Sequence, residues 1–364
     1  MQISRAGLAL VLACILQTAP HAVQSAMAAP AETWEKIDKR VKSQVYQINV
    51  GLKMKVKDSL YVTLADLSPK NRFPVFSASA QDPGYRVVGF GTAFPIKTIT
   101  NTDKTILVTN RHVVESGDEI IKECQRFYAA MRLMAEQTAE RGDVDGRLKE
   151  LMQLVNISRK KDRSTTELAT YQSTVDSIWD VYETHLSMRQ DPSRKSFNKY
   201  LSAMQVSFEL GYFIHPAGPV SQTPYNAKIF KNARGASDPD LAILSIDKAR
   251  LAPLELDLAS ASEGQEVQVV GYPEASEMLD TDSSKYFAPT FSTGRVSRVG
   301  PRSIQVDAAM TNGNSGAPVI NQKGKVIGVA VRRARNASGQ ELTNFGGAIS
   351  AQALQSFAPE LFVR

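Results

Sequence analysis

The sequence predicts a mainly β protein, built as barrels or sandwiches and interrupted by one long helical insertion. Two observations carry this. Short runs of β-branched and aromatic residues, punctuated by turn residues, recur through most of the chain. Between about residues 117 and 205 that pattern gives way to apolar residues spaced every three or four positions.

The elements follow in order. "MQISR" carries Arg5, "AGLALVLACIL" (6–16) is an apolar run, and "SAMAAP" (25–30) offers small residues at Ala26 and Ala28. This is the order of a secretory signal, expected over residues 1–28, and the apolar run is short for a membrane span. An uncleaved anchor is the alternative. A lipid anchor on Cys14 is disfavoured because Leu12 fits poorly the small-residue run that precedes such a cysteine. "AETWEKIDKRVKSQ" (31–44) reads as a short helix or arm. "VYQINVGLKM", "SLYVTLADL", "YRVVGFGTAFPI" and "KTILVTNRHVV" read as strands, completing a first segment over 29–116.

In the insertion, Ile120, Cys124, Phe127, Met131 and Met134 form one helical stripe. "RGDVDG" (141–146) breaks it and "RLKELMQLV" (147–155) resumes it. Leu168, Tyr171, Val175, Ile178, Tyr182 and Leu186 form another, with Asp191 and Pro192 as its stop and "KSFNKYLSAM" (195–204) as a candidate fourth helix. The insertion is expected to be an antiparallel hairpin or small bundle. Its aromatic and methionine residues, Trp179 and Tyr128 among them, serve either as its own core or as a surface for a protein partner or self-association.

Strand character then returns in "QVSFELGYFIH", "NAKIFKN" and "DLAILSID" (segment 206–255). It continues in "QEVQVVGYP", "FSTGRVSRVG", "RSIQVDAAM", "PVINQKG", "KVIGVAVRRA" and "TNFGGAIS", before a short final helix, "AQALQSFAPELF" (segment 256–364).

Composition narrows the function. With 364 residues, 43% hydrophobic and 22% charged, the chain can bury a sizeable core. The net charge of +6 is spread among mixed charges, which argues against a nucleic-acid role. No segment after the leader is long and apolar enough to span a bilayer. With Cys14 in the leader, Cys124 has no intramolecular disulfide partner. An exported protein of a bacterial periplasm, or a secreted one, suits this usage. His185 and His215 have no Cys or His at ligand spacing, so no metal and no cofactor is expected.

The chemistry centres on "TNGNSGAPVI" (311–320), where small residues surround Ser315. A serine hydroxyl needs a base to take its proton, and a base needs an orienting group. His112, in "TNRHVV", is the candidate base. Asp240, just ahead of an apolar strand, is the candidate orienting carboxylate, since a carboxylate entering a core edge needs a donor such as an imidazole N–H.

"TNRHVV", "DLAIL" and "GNSGAPVI", in that order, resemble the three triad blocks of trypsin-like serine proteases, closest to the bacterial HtrA-like branch. "GFGTAFPI", "VQVVGYP" and "KVIGVAV" resemble its flanking strands. The resemblance covers about 86–115 and 225–350. It implies two six-stranded antiparallel β-barrels with the α-helical insertion in the first, and a serine endopeptidase acting on polypeptides through an acyl-enzyme. It implies catalytic His112, Asp240 and Ser315, with an oxyanion hole from the N–H groups of Gly313 and Ser315. A side chain at Gly313 would strain that turn, and Gly316 would admit the substrate chain.

Carried over likewise, Ala309 lies at the base of the pocket for the residue before the cut, with Thr311 and Asn312 on its wall. No charge sits there, which implies a small or medium apolar preference. Val331, Arg332 and Arg333 would pair with the substrate backbone, the two arginines either favouring acidic substrate neighbours or ending a solvated strand. His112 and Asp240 are 128 residues apart, far more than the family's few dozen, and the surplus matches the insertion; Asp240 and Ser315 are 75 apart. Asn314 stands where animal relatives carry an aspartate that pairs with a cut N-terminus, so activation by clipping is not expected. Some fifty residues follow Ser315, too few for the PDZ domain common in that branch. The rival readings are a protease-like scaffold acting through its insertion and an esterase with the same triad.

Overall fold

The computed structural model describes residues 32–56, 60–66, 75–79, 84–156, 164–186, 202, 206–235, 237–259, 261–273, 286–335 and 341–362. The leader, Asp191, Pro192 and nearly all of "KSFNKYLSAM" lie outside them.

Two closed barrels make up the fold. After helix α1 (Trp34–Val41), the chain forms β1 (Tyr46–Val56), β2 (Leu60–Asp66), β3 (Val75–Ser79), β4 (Arg86–Ile99) and β5 (Lys104–Thr109). Helices α2 (Arg111–Val114), α3 (Ser116–Thr138), α4 (Val144–Asn156) and α5 (Thr165–Leu186) follow. Next come β6 (Val206–His215), the short β7 (Gly218–Pro219), β8 (Tyr225–Asn232) and β9 (Ala242–Ile246). The first barrel runs β1-β4-β5-β9-β8-β6 and closes from β6 back onto β1, all antiparallel, while β2 and β3 extend the sheet outward from the far end of β1.

The second barrel uses β10 (Glu266–Gly271), β12 (Thr290–Val299), β13 (Ser303–Val306), β14 (Pro318–Asn321), β15 (Val326–Arg335) and β16 (Glu341–Ser350). It closes in the order β10-β12-β13-β16-β15-β14, and α6 (Ala351–Phe357) follows it. The short β11 (Tyr286–Phe287) pairs with β7. Closure removes open sheet edges from both barrels. Every residue of β9 is buried, Ser245 included, as in a strand packed on both faces.

α1 ties the barrels together. Ile37 and Val41, one turn apart on its face, are fully buried in a cluster with Phe94, Ile106 and Val108 of the first barrel and Val270, Ile320 and Val326 of the second. Across the barrel junction, Trp34 donates its indole N–H to Glu266.

The insertion is helical as its periodicity predicts, with the break at Glu140–Gly142, where "RGDVDG" begins. Its first stripe is largely covered, while Leu168 at the head of the second is 47% exposed. Cys124, Phe127, Tyr128 and Met131 are buried with Leu148, Leu151, Met152 and Ile178, and the same cluster takes in Leu52 and Met54 of β1. The insertion is therefore continuous with the core beneath β1 and β6. Among the described residues, no helix is long and apolar enough to cross a membrane.

Candidate active site

The structure brings His112, Asp240 and Ser315 together in the cleft between the barrels. β5 ends at Thr109 and the chain turns at once into α2, a single helical turn bearing His112. The first N–H groups of a helix lack internal partners. Here Asp240, at the approach to β9, supplies them from 128 residues away. His112 N–H donates to Asp240 Oδ1 at 3.0 Å and Arg111 N–H to the Asp240 carbonyl at 3.4 Å. Buried Asn110 adds a side-chain N–H to the same carbonyl at 2.8 Å. One residue thus both caps the helical turn and orients the ring upon it.

His112 Nδ1 lies 2.6 Å from Asp240 Oδ2, and Nε2 lies 2.9 Å from Ser315 Oγ. An ionised carboxylate only accepts, so the ring proton sits on Nδ1, and Nε2 is left to accept from the serine hydroxyl. Burial alone would raise the Asp240 carboxyl pKa. Hydrogen bonds from the His112 ring and backbone and the nearby Arg111 charge outweigh that effect and hold it below its ordinary value. Arg111 Nε stands 4.0 Å from Asp240 Oδ1 and 3.7 Å from Glu115.

The serine loop has a backbone that only glycine takes readily. Gly313 and Gly316 have φ of +92° and +86°. A Cβ on Gly313 would lie 2.1 Å from the Tyr272 carbonyl oxygen. One on Gly316 would lie 2.1 Å from the Thr92 carbonyl oxygen and 2.4 Å from Thr109 Oγ1. Gly316 therefore serves the close approach of the two barrels. The N–H groups of Asn314, Gly316 and Ala317 donate to Thr311, Ala330 and Asn314 carbonyls. Those of Gly313 and Ser315 have no acceptor among the described residues.

Thr92 holds this loop from the first barrel, a role the sequence reading missed. It is fully buried. Its Oγ1–H donates to the Gly313 carbonyl at 2.7 Å and accepts the Tyr272 N–H at 3.1 Å. Its own N–H donates to the Ser315 carbonyl at 2.9 Å, and its carbonyl accepts Thr109 Oγ1–H at 2.8 Å. A threonine between small residues in an otherwise apolar strand, "GFGTAF", is the signal that marks it.

The cleft has a volume of about 560 Å³, and Val87, Val88, Phe90, Val113, Ser116 and Asn312 line it beside His112, Gly313 and Ser315. Asn312 is the one predicted pocket-wall residue on that lining. Ala309 is exposed and Thr311 half-buried, both outside it, and Val331, Arg332 and Arg333 lie on β15. His215 sits on β6 against Phe287, with burial lowering its pKa, and does not line the cleft; His185 belongs to α5. Among the described residues, no three His, Cys, Asp or Glu side chains gather as metal ligands.

Residues 213–329 match the family model of the trypsin-like peptidase domain, a stretch that takes in Asp240 and Ser315 and begins after His112. The chain is 32% identical over 129 residues to the serine protease Do-like HtrA of Lactobacillus helveticus, covering 34% of this chain and 31% of that one. It is 28% identical over 194 residues to the chloroplastic protease Do-like 1 of Arabidopsis thaliana, covering 48% and 43%. The chain thus spans less than half the length of these curated relatives. A crystal structure of the serine endoprotease from Yersinia pestis aligns over 91% of this chain and 66% of that one at 12% identity and a TM-score of 0.42, too loose a likeness to argue from. Two closed six-stranded barrels agree with the trypsin-like peptidase domain matched over residues 213–329, and over part of its length the chain is similar to serine proteases of the HtrA type.

Proposed function

We propose that the chain is an exported serine endopeptidase that cleaves polypeptides through an acyl-enzyme. The observation that carries this is the unbroken hydrogen-bond relay from Asp240 through His112 to Ser315, at 2.6 and 2.9 Å. In this reading Ser315 Oγ attacks the scissile carbonyl carbon as its proton passes to His112 Nε2. The carbonyl oxygen becomes an oxyanion, received by the otherwise unpartnered N–H groups of Gly313 and Ser315. The imidazolium, held by Asp240, gives its proton to the leaving amine, and the acyl-enzyme remains. Water, deprotonated by the same ring, then attacks the ester carbonyl; the acyl carbon–Oγ bond breaks, the ring returns the proton to Ser315 Oγ, and the carboxylic acid product leaves. No cofactor enters these steps.

A small or medium apolar residue before the cut is the proposed preference, with Ala309, Thr311 and Asn312 at its pocket and Val331, Arg332 and Arg333 along the substrate backbone. The absence of Asp, Glu, Lys and Arg from the described cleft lining supports an uncharged substrate side chain. Export rests on the leader-like residues 1–28. The scaffold reading is less well supported, because Phe127, Tyr128 and Met131 of the insertion are already buried.

The test is cleavage of fluorogenic peptides that differ only in the residue before the cut. Ala, Val and Leu peptides are expected to be turned over faster than Lys, Arg and Asp peptides, with all turnover lost in Ser315→Ala. Ester hydrolysis without any peptide cleavage would favour the esterase instead.

A further inference from the structure

A second concave surface, of about 800 Å³, shares no lining residue with the catalytic cleft. It is formed by β8, the loop that leads to Asp240, the turn between β12 and β13, and α6. Three features distinguish it from an ordinary surface dip.

The first is apolar. Ile229 and Phe230 on β8 are 42% and 46% exposed, although large hydrophobic side chains are usually covered. Phe357 of α6 lines it too, so the groove brings exposed apolar side chains of β8 together with an aromatic ring of α6.

The second is charge. Arg234 and Arg302 both line the groove, and neither guanidinium has a carboxylate at ion-pair distance among the described residues. Arg302 spends one N–H on the Ser237 carbonyl at 3.0 Å, which fixes its direction and leaves its other donors available. The remaining charges are already engaged. Lys231 pairs with Glu360 at 2.9 Å and lies over the Phe357 ring. Asp238 accepts the N–H groups of Arg234 and Gly235 and so closes its own turn.

The third is shape. A concave surface of this size accommodates a few side chains, which a flat lipid surface would not fill.

We propose that this groove docks a short acidic and apolar peptide segment of a partner protein. Arg234 and Arg302 would receive its carboxylates, and Ile229, Phe230 and Phe357 would receive an aliphatic or aromatic side chain between them. Two forked guanidiniums beside an exposed aromatic strip match this class, because arginine binds carboxylates bidentately and aromatic residues supply buried contact area. A basic segment would meet the like charges of Arg234 and Arg302, against which the groove sets the single carboxylate of Asp238, already held by its own turn and near Arg302.

The experiment uses the full chain carrying Ser315→Ala, so that no peptide is cleaved and binding is read independently of catalysis. The probe is a pool of fluorescein-labelled pentapeptides with Asp or Glu at both ends and Leu, Ile or Phe in the middle. Its counterpart carries Lys at the ends. Fluorescence anisotropy should show saturable binding of the acidic pool and at least about tenfold weaker binding of the basic one. The double variant Arg234→Glu/Arg302→Glu should lose the acidic pool by about tenfold or more, and Phe230→Ser should weaken it too. All three positions are on the surface, and an unchanged thermal transition confirms that the variants fold. No saturable binding, equal binding of both pools, or undiminished binding by the double arginine variant overturns the proposal. So does arginine-dependent binding to phosphatidylglycerol vesicles with none to the acidic pool.

Discussion

Replacing Thr92 by valine keeps the shape of the side chain and deletes one oxygen. In the native protein that oxygen makes two bonds, donating to the Gly313 carbonyl at 2.7 Å and accepting the Tyr272 N–H at 3.1 Å. The site has no exposure, so water does not take its place. Each buried polar group left unpaired costs about 1–3 kcal/mol, and two such groups sharing one oxygen give about 2–4 kcal/mol. That loss takes one of two forms. If the loop stays put, unfolding in urea comes earlier by the full amount. If the loop shifts to rehydrate the Gly313 carbonyl, stability is partly recovered while Ser315 and its neighbouring N–H groups lose their placement, and kcat/KM for a peptide substrate falls by about tenfold per 1.4 kcal/mol. Thr92→Ser keeps both bonds and loses one methyl group, about 1 kcal/mol, with kcat unchanged. Urea denaturation and steady-state kinetics on the three proteins decide it. Valine within 0.5 kcal/mol of the wild type by both measures, on the ~1 kcal/mol scale of one hydrogen bond, would refute the clasp.

Other outcomes follow from the same geometry. Gly316→Ala places a Cβ against the Thr92 carbonyl in a left-handed backbone, so a loss of about 3 kcal/mol or more is expected in urea denaturation, together with loss of activity. Replacing residues 117–205 by a short linker strips the cover from Leu52 and Met54, so aggregation or strong binding of a hydrophobic dye is expected; a soluble, cooperatively folding product would contradict the shared core. Tyr46 is pushed up to about 12 by burial and then by neighbouring Tyr225, and Tyr212 to about 12 by burial and then by the charges of Asp118 and Glu115. A pKa raised by folding gives stability that is full below the unfolded value of 10.0 and lost as pH rises toward 12. Absorbance at 295 nm should therefore show two tyrosines titrating late, with urea midpoints falling over the same interval.

The three blocks that meet at the candidate site were legible because chemistry restricts residue type there. A serine among glycines, a histidine just past a strand and an aspartate ahead of an apolar run each narrow the choice, and their order narrows it further. The helices were legible for a geometric reason, since Cys124, Phe127 and Met131 repeat at the period of a helix face. Periodicity tells which face is apolar, but not what covers it. Hence the burial of that stripe with Leu52 and Met54, and of α1's Ile37 and Val41 between the barrels, emerged only from the fold. Thr92 was hidden for the same reason, because its partners Gly313 and Tyr272 lie 221 and 180 residues away. The packing of Gly316 against Thr92 and Thr109 was hidden likewise, since both lie more than 200 residues earlier in the chain. Ala309, carried over by resemblance alone, lies outside the cleft lining.

The most direct measurement is labelling of the purified chain, lacking residues 1–28, with a fluorophosphonate that phosphonylates an activated serine. With His112 Nε2 at 2.9 Å from Ser315 Oγ, time-dependent labelling of the wild type is expected, with none in Ser315→Ala and strong slowing in Asp240→Asn. A folded wild-type protein that stays unlabelled, or a Ser315→Ala protein that labels equally, would contradict the assignment of Ser315 as the nucleophile.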